Sequence, residues 1–155
     1  MNNLLDVGSG SGIPGIALAI LHPNQNLTIV EANTKKINFL SEVVKTLELS
    51  HVQLINERAE SISEMYKNYF DLTTARAVAK IKVILELTIP YLKVNGTCLL
   101  LKGENWQQEL KEAQEIMQAL SVKLDHVLTY QEGNNVSYAL FFTKTKLTSE
   151  KYPRK

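Results

Sequence analysis

A glycine-rich segment near the start of the chain constrains the fold more than any other feature. Residues 4–15 read LLDVGSGSGIPG, which is an apolar strand, an acidic residue, three alternating glycines, and then a proline and a glycine that open a helix. Glycine permits positive φ and removes the Cβ atoms that would keep a ligand from the main chain. Pro14 suits the first turn of a helix, where an amide hydrogen has no partner. The pattern predicts a tight strand-to-helix turn whose exposed amides bind a nucleotide-like ligand.

Two ligand classes fit this turn. Residues 10–15 match G-x-G-x-x-G, the dinucleotide fingerprint, but that match alone is weak. Asp6 extends the pattern to D-x-G-x-G-x-G, and a carboxylate there favours the cationic sulfonium and ammonium end of S-adenosylmethionine over a pyrophosphate. Glu31, which ends the next strand, is placed to accept both ribose hydroxyls of either ligand, so Asp6 discriminates and Glu31 does not. A glycine turn that only packs a helix on a sheet is the structural alternative.

The composition indicates one globular domain. The chain has 155 residues, of which 45% are hydrophobic, and a net charge of +1, so no strong global field favours nucleic acid or membrane. The one cysteine, Cys98, lies in an apolar strand and is expected in the core, and nothing indicates disulfides. The sequence lacks a transmembrane run and a secretory signal pattern. We expect a cytoplasmic monomer without a membrane partner, with residues 1–147 as a single domain and residues 148–155 as a basic, flexible tail.

Strand and helix patterns alternate along the whole chain. Strands are predicted at residues 4–7, 27–30, 52–55, 70–74 and 97–102, with a final hairpin of residues 122–130 and 136–144. Helices are predicted from Pro14 to about His22, after Thr34 as N-cap, from about Lys80 to Leu92, and from Trp106 to Leu120. Asn95-Gly96 is predicted to turn the chain into the fifth strand. Five βα units and an antiparallel pair predict an α/β fold, with a doubly wound, mostly parallel sheet and an antiparallel C-terminal hairpin at its edge.

In such a sheet the ligand lies beyond the carboxyl ends of the strands, where the strand order reverses. The residues that follow the predicted strands therefore form one constellation. They are Asp6 to Gly12, Glu31, Asn56 to Glu60, Ala75-Arg76 and Lys102-Gly103. The three histidines are scattered without metal-ligand spacing, so no metal site is predicted.

Four of these segments resemble one protein family. The quoted motifs are DVGSGSGIPG at residues 6–15, Arg58-Ala59-Glu60, Ala75-Arg76-Ala77 and Leu101-Lys102-Gly103. In order and approximate spacing they resemble the GidB, or RsmG, family of bacterial 16S ribosomal RNA guanine-N7 methyltransferases, over residues 3–145. The resemblance implies a Rossmann-like, S-adenosylmethionine-dependent methyltransferase fold. It also implies 16S ribosomal RNA or the small ribosomal subunit as partner, with a guanine at position 527 of that RNA as the target.

The resemblance implies roles for individual residues. Cofactor contacts are expected at Gly8, Ile13, Ala59, Glu60 and Arg76, with Glu31 on the ribose, and Asp6, Gly10 and Gly12 complete the set. Arg76 and Lys102 are expected to border the methyl-transfer site, because their donors match the N7 and O6 edge of guanine. Guanine N7 has a free lone pair, so its methylation needs no general base and depends on positioning.

Two departures from the family pattern keep other functions open. Family members carry a helical segment before the first strand that would help to cover the cofactor cleft and contact RNA, whereas this chain begins almost at that strand. The last hairpin strand of the family often has an arginine that faces the substrate, where this chain has Tyr138. One alternative is a non-catalytic or truncated cofactor-binding remnant, against which the retained Asp6, Glu31 and Arg76 count. Another is an NAD-dependent oxidoreductase, against which Asp6 and the lack of a substrate domain count. Small-molecule methyltransferases share the fold as well.

Overall fold

The computed structural model describes residues 2–76 and 79–155, which form a seven-stranded sheet with helices on both faces. The strands are β1 (Asn3–Val7), β2 (Asn26–Val30), β3 (Val52–Ile55), β4 (Phe70–Arg76), β5 (Leu92–Lys102), β6 (Val122–Glu132) and β7 (Asn135–Lys144). Their order across the sheet is β3-β2-β1-β4-β5-β7-β6. The first five strands run parallel, and β7 pairs antiparallel with both β5 and β6. The predicted α/β fold with an antiparallel C-terminal hairpin is confirmed.

Helices connect most of these strands. They are α1 (Gly15–Leu21), α2 (Thr34–Thr46), α3 (Ile81–Thr88), α4 (Trp106–Glu112) and α5 (Gln114–Leu120). The connection from β3 to β4 instead contains two 3-10 turns, Ala59–Ser61 and Glu64–Tyr66, so the third predicted βα unit lacks its helix. This connection must pass β2 and β1, which is three strand spacings of about 4.8 Å each. Most of this short connection is needed to cross the two strands.

The predicted cap of α2 was wrong by one residue. Asn33, rather than Thr34, is the N-cap, because its side-chain oxygen accepts the amides of Lys35 and Lys36 at 3.0 and 3.2 Å. The Thr34 hydroxyl instead donates to Oδ1 of Asn56 at 3.0 Å. The start of α2 is thereby tied to the end of β3.

Other boundaries also differ from the prediction. The helix predicted to end at Leu92 ends at Thr88, a 3-10 turn follows at Ile89–Tyr91, and Leu92 begins β5. Asn95-Gly96 lies inside β5 rather than before it, at a place where the register with β4 shifts and Asn95 has φ 66°. An irregularity of this kind lets a strand bend without ending. The helix predicted over Trp106 to Leu120 is divided at Ala113 into α4 and α5.

Each face of the sheet has its own core. Successive residues of a strand point to opposite faces. Leu4 accordingly packs in the core beneath α1 and α2, whereas Leu5 and Val7 pack beneath α3, α4 and α5. Cys98 belongs to the second core and is fully buried, as expected, and burial raises the pKa of its thiol. No helix in the described part of the chain is long and apolar enough to span a membrane.

The segment predicted as a flexible tail, residues 148–155, is packed against the domain. Tyr152 is buried and joins the core under α3. Arg154 makes a bidentate pair with Glu86 of α3, with Nε–Oε1 and Nη2–Oε2 distances of 2.7 and 2.6 Å. The boundary predicted at residue 147 therefore does not mark the end of the packed chain.

Lys144, the last residue of β7, is fully buried and holds three segments together. Its ammonium donates to Oδ1 of Asn68 at 2.7 Å and to the carbonyls of Ile89 and Leu92 at 3.0 and 2.8 Å. These acceptors flank the start of β4 and the start of β5. The ammonium therefore replaces the backbone hydrogen bonds that these segments would otherwise make.

We expect Lys144→Met to lower the free energy of unfolding by at least about 2 kcal/mol, because buried carbonyls lose their donor. Burial also lowers the pKa of Lys144 to about 8. Between pH 8 and 10.5 the unfolded state then binds more protons than the folded state, so the contribution of Lys144 to stability rises with pH. Urea unfolding of both proteins at pH 7.5 and 9.5 measures this. Equal stability of the two proteins at both pH values would contradict it.

Candidate functional site

The glycine-rich turn joins β1 to α1 at the carboxyl edge of the sheet. Gly8, Gly10 and Gly12 have φ values of 66°, 60° and 98°, which confirms the positive φ expected of them. A Cβ atom at Gly12 would lie 2.6 Å from Cγ1 of Ile16, whereas at Gly10 no described atom would lie within 4 Å. Gly12 is therefore needed for packing, and Gly10 faces open space. Ile13, the next apolar residue, is exposed.

Asp6 lies beneath this turn. Its side chain is fully buried, and Oδ2 accepts the Gly15 amide at 3.1 Å, which fixes the first residue of α1. A Cβ atom at Gly15 would lie 2.5 Å from the same oxygen, so glycine is required for this contact. Within the described residues, Oδ1 of Asp6 and the buried hydroxyl of Ser9 make no hydrogen bond of ordinary geometry. The sequence identified the carboxylate but did not show that it supports the turn from the inside.

Burial raises the pKa of Asp6 to about 6, and the nearby Ser9 hydroxyl and Gly15 amide oppose part of that shift. The charge of Glu31 raises the pKa slightly further. A carboxyl group whose pKa is raised by folding binds more protons in the folded than in the unfolded state. Its contribution to stability is therefore present at low pH and is lost as the pH rises through 6.

We expect the stability of the wild-type chain relative to Asp6→Asn to fall by up to about 3 kcal/mol between pH 4 and 6.5. Urea unfolding at steps of half a pH unit measures the difference. Asp71→Asn is the matched control, because hydrogen bonds from two backbone amides and Lys93 lower the pKa of Asp71 to about 2 despite some burial. Its titration lies below this window. If the stability difference between wild type and Asp6→Asn does not change with pH, the Asp6 carboxyl keeps an ordinary pKa.

Glu31 connects the glycine turn to the start of α2. It is mostly buried at the end of β2, where Oε2 accepts the Gly10 amide at 3.1 Å and Oε1 accepts the Asn33 amide at 2.9 Å. Asn56, after β3, donates to the carbonyls of Glu31 and Ala32 at 2.9 and 3.2 Å and so fixes the backbone beside the carboxylate. Each carboxylate oxygen accepts one backbone amide and keeps further acceptor capacity. The role of Glu31 towards a ribose diol stays a prediction, which this free acceptor capacity permits.

The Arg-Ala-Glu motif follows β3 and forms the first 3-10 turn. Ala59 is buried, and its carbonyl accepts the hydroxyl of Tyr91 at 2.5 Å. Burial raises the pKa of that hydroxyl, so it remains a donor at all ordinary pH values. Glu60 is partly exposed and pairs with Arg58 at 3.4 Å. Tyr91 therefore helps to fix the position of the Arg-Ala-Glu turn, and no local sequence signal indicated this role.

Lys102, one of two residues predicted to border the transfer site, lines a small cleft together with Arg76, and neighbouring groups hold its ammonium. Its Nζ lies 2.7 Å from Oε2 of Glu109 and donates to the Ala79 carbonyl at 3.0 Å. The same glutamate oxygen accepts the Ile81 amide at 2.9 Å. The side chain of Lys102 is only 9% exposed. This network joins the end of β5 to α3 and α4, and it leaves Arg76 as the better candidate for a donor that faces a substrate.

Arg76 ends β4 with an exposed guanidinium group. Its Nη2 atom lies 2.8 Å from Oε1 of Glu132, at the tip of the β6–β7 hairpin. Sequence reasoning missed Glu132, and only the length of the predicted hairpin could have drawn attention to it. Ala77, the third residue of the Ala-Arg-Ala motif, lies outside the described residues.

Strand pairing brings the predicted segments together at one edge. Val7 pairs with Val30 on one side and with Ala75 on the other. The residues that follow, Gly8, Glu31 and Arg76, therefore leave neighbouring strands about 4.8 Å apart. The strand order reverses between β1 and β4, which is where open α/β sheets bind ligands. Lys102 lines the small cleft next to Arg76, although its ammonium is paired with Glu109. That these segments bind one ligand stays a prediction.

Comparison with known proteins gives consistent results. The family model GidB, described as rRNA small subunit methyltransferase G, matches residues 1–137. Relatives named Ribosomal RNA small subunit methyltransferase G include those of Mycoplasma capricolum and a Thermotoga species, each 42% identical over 153 residues. These alignments cover 98% of this chain and 66% and 67% of the relatives, so the chain spans about two thirds of their length.

Solved structures show the same fold in more distant proteins. M. jannaschii TYW2 in complex with AdoMet is 18% identical with a TM-score of 0.71, and the match covers 91% of this chain and 67% of that one. A 16S rRNA (adenine(1408)-N(1))-methyltransferase from Catenulisporales acidiphilia is 14% identical with a TM-score of 0.72, covering 96% and 87%. At these identities the likeness establishes the fold alone. The match of the family model and the relatives above 40% identity go further, and the chain belongs to the GidB family, rRNA small subunit methyltransferase G.

Proposed function

We propose that this chain forms the cofactor-binding and catalytic domain of an S-adenosylmethionine-dependent methyltransferase that modifies N7 of a guanine in 16S ribosomal RNA. Membership of the GidB family supports the reaction class. The observation that carries the proposal is the position of the Glu31 carboxylate, which is held by the Gly10 and Asn33 amides directly beside the glycine turn. The equivalent of position 527 is the target that the family resemblance implies.

The residues at this edge fit an adenosine ligand with a positive charge. Gly10 leaves open space over the turn, and Glu31 keeps acceptors for two ribose hydroxyls. Asp6 and Glu31 place two carboxylates close to the turn and give it a negative potential, which favours a sulfonium and an ammonium group over a pyrophosphate. Gly8, Gly12 and Ile13 would complete the turn around the ligand, and Ala59 and Glu60 would bound it on the side of β3.

For this reaction the main task of the protein is to position the methyl donor and the guanine. S-adenosylmethionine, when bound, supplies an electrophilic methyl group, and guanine N7 offers a lone pair with no proton to remove. The protein therefore needs no general base and must hold the base in line and exclude water. Arg76 is the residue that orients the base. Its guanidinium would donate to O6, because a donor at N7 would occupy the lone pair that reacts.

Titration calorimetry with S-adenosylmethionine, and separately with NAD, tests the cofactor. Transfer of a labelled methyl group to small-subunit RNA, followed by mass spectrometry of the nucleosides, tests the reaction, with a full-length relative as the positive control. We expect binding of S-adenosylmethionine alone and formation of N7-methylguanosine. Binding of NAD would favour the oxidoreductase. Cofactor binding without transfer, under conditions in which the relative is active, would favour a non-catalytic module.

A further inference from the structure

The β6–β7 hairpin extends beyond the strand on which it packs. β5 ends at Lys102, whose partner on β7 is Tyr138, whereas β7 begins three residues earlier at Asn135. The pairing of β6 with β7 continues to Glu132 and Asn135. The tip of the hairpin therefore projects past the carboxyl edge of the sheet, on the side where β4 ends. It forms one wall of a small cleft whose other wall is Arg76 and residues 101–103, Lys102 included.

The carboxylate of Glu132 is held in this cleft by two donors. Arg76 donates to Oε1 at 2.8 Å, and the Ser137 hydroxyl donates to Oε2 at 3.1 Å. The side chains of Arg76 and Glu132 are 40% and 49% exposed, so the pair faces solvent along the cleft. An exposed ion pair contributes only about 0 to 1 kcal/mol to stability. What the arrangement does provide is a donor and an oriented carboxylate side by side.

This order of groups complements one nucleobase. Along one edge, guanine presents the O6 acceptor and then the N1–H and N2–H donors. Arg76 and Glu132 present a donor and then two carboxylate oxygens, and the guanidinium has enough donors to bind O6 and Glu132 together. Adenine presents an amino donor and then the N1 acceptor, which would place donor against donor and lone pair against lone pair. Bases in single-stranded RNA are read on these edges.

The charge of the pair also suits the product. Methylation at N7 leaves a positive charge on the guanine ring. Arg76 alone would oppose this charge, whereas Arg76 with Glu132 is a neutral pair, and its carboxylate would face a base bound in the cleft. The same two residues can therefore orient the base and tolerate the charge that forms on it.

We propose that Glu132 determines base specificity, with its carboxylate accepting N1–H and N2–H of the target guanine while Arg76 donates to O6. The inference rests on the proposed function and adds to it a residue on the hairpin. Glu132 acts on the edge of the base away from N7, so it affects which base is accepted rather than the reaction itself. Tyr130 and Ser137 line the same wall of the cleft and would hold the hairpin side of the base.

The test compares methyl transfer to two RNAs that differ only at the target, guanine in one and inosine in the other. Inosine lacks the N2 amino group and keeps N7, O6 and N1–H. We expect wild type to prefer guanine by about tenfold in kcat/KM, since one hydrogen bond to a charged acceptor is lost. Glu132→Ala should methylate the two RNAs at similar rates, and Glu132→Asp should recover part of the preference. Glu115→Gln, an exposed change on α5, should keep the wild-type ratio.

The ratio of the two substrates is a readout that a merely structural role would not change. A variant that only loosened the hairpin would lower both rates equally and keep the preference. If Glu132→Ala retains the wild-type ratio, the assignment of Glu132 is overturned and the proposed function stands. If wild type transfers no methyl group to the guanine RNA, the proposed function fails together with the assignment. The wild-type reaction distinguishes these two failures.

Discussion

Arg76→Ala is expected to lower the rate of methyl transfer to RNA by about a hundredfold, the cost of losing the group that aligns the base. Arg76 is exposed and its ion pair with Glu132 is at the surface, so the variant should keep the stability of wild type within about 0.5 kcal/mol. Single-turnover assays with saturating S-adenosylmethionine measure the rate. Arg76→Lys keeps the charge but not the planar fork and should recover only part of the activity.

The control for Arg76 is Lys111→Ala, which removes an exposed positive charge in the last turn of α4. It should retain full activity, which separates a local effect from a general loss of RNA affinity. Wild-type turnover by Arg76→Ala would contradict the assignment of the transfer site to the end of β4. A large loss of thermal stability would instead indicate that Arg76 has a structural role.

Glu31→Ala is expected to weaken binding of S-adenosylmethionine by about a hundredfold. The carboxylate would accept two ribose hydroxyls, and each hydrogen bond to a charged group contributes about 1.5 to 3 kcal/mol. Glu31→Gln keeps the size of the side chain but turns an amide donor towards the Gly10 or Asn33 amide, so it should lose nearly as much. Titration calorimetry measures both variants.

Glu42→Gln, an exposed change on α2, is the matched control for Glu31 and should bind the cofactor as wild type does. Circular dichroism and urea unfolding show whether Glu31→Ala still folds, since its amide partners lie at a partly exposed edge where water can replace the carboxylate. Unchanged affinity in a folded Glu31→Ala protein would place the ribose elsewhere. That result would also remove the main support for the cofactor proposed here.

Much of the fold could be predicted because its signals are local. Apolar strands separated by helical patterns, the glycines after β1 and the turn residues near 133 are readable over a few positions. The roles of Gly12 and Gly15 follow the same logic, because a strand-to-helix turn needs close backbone approach. Where several features combine along a short segment, the prediction agrees with the structure.

The side-chain partners could not be predicted in this way. Arg76 and Glu132 are 56 residues apart, and their contact depends on the register of two strand pairs. The pairing of Lys102 with Glu109 joins β5 to α4, and residue type alone does not indicate that contact. The direction of Asp6 likewise depends on which face α1 covers. In each case the side chain contacts an element that is distant in the sequence. Residue type and spacing do not specify which element that is.

The order of the last three strands has a consequence for synthesis of the protein. β7 is made after β6 but lies between β6 and β5. As the chain leaves the ribosome, the edge of β5 that pairs with β7 in the folded protein stays unpaired until residues 135–144 emerge. β6 does not pair with β5 in the native sheet and so does not cover this edge. An open strand edge is a template for pairing with other chains. The nascent protein therefore has an open strand edge from the time β5 is made until β7 is available, and β7 is the strand that closes it.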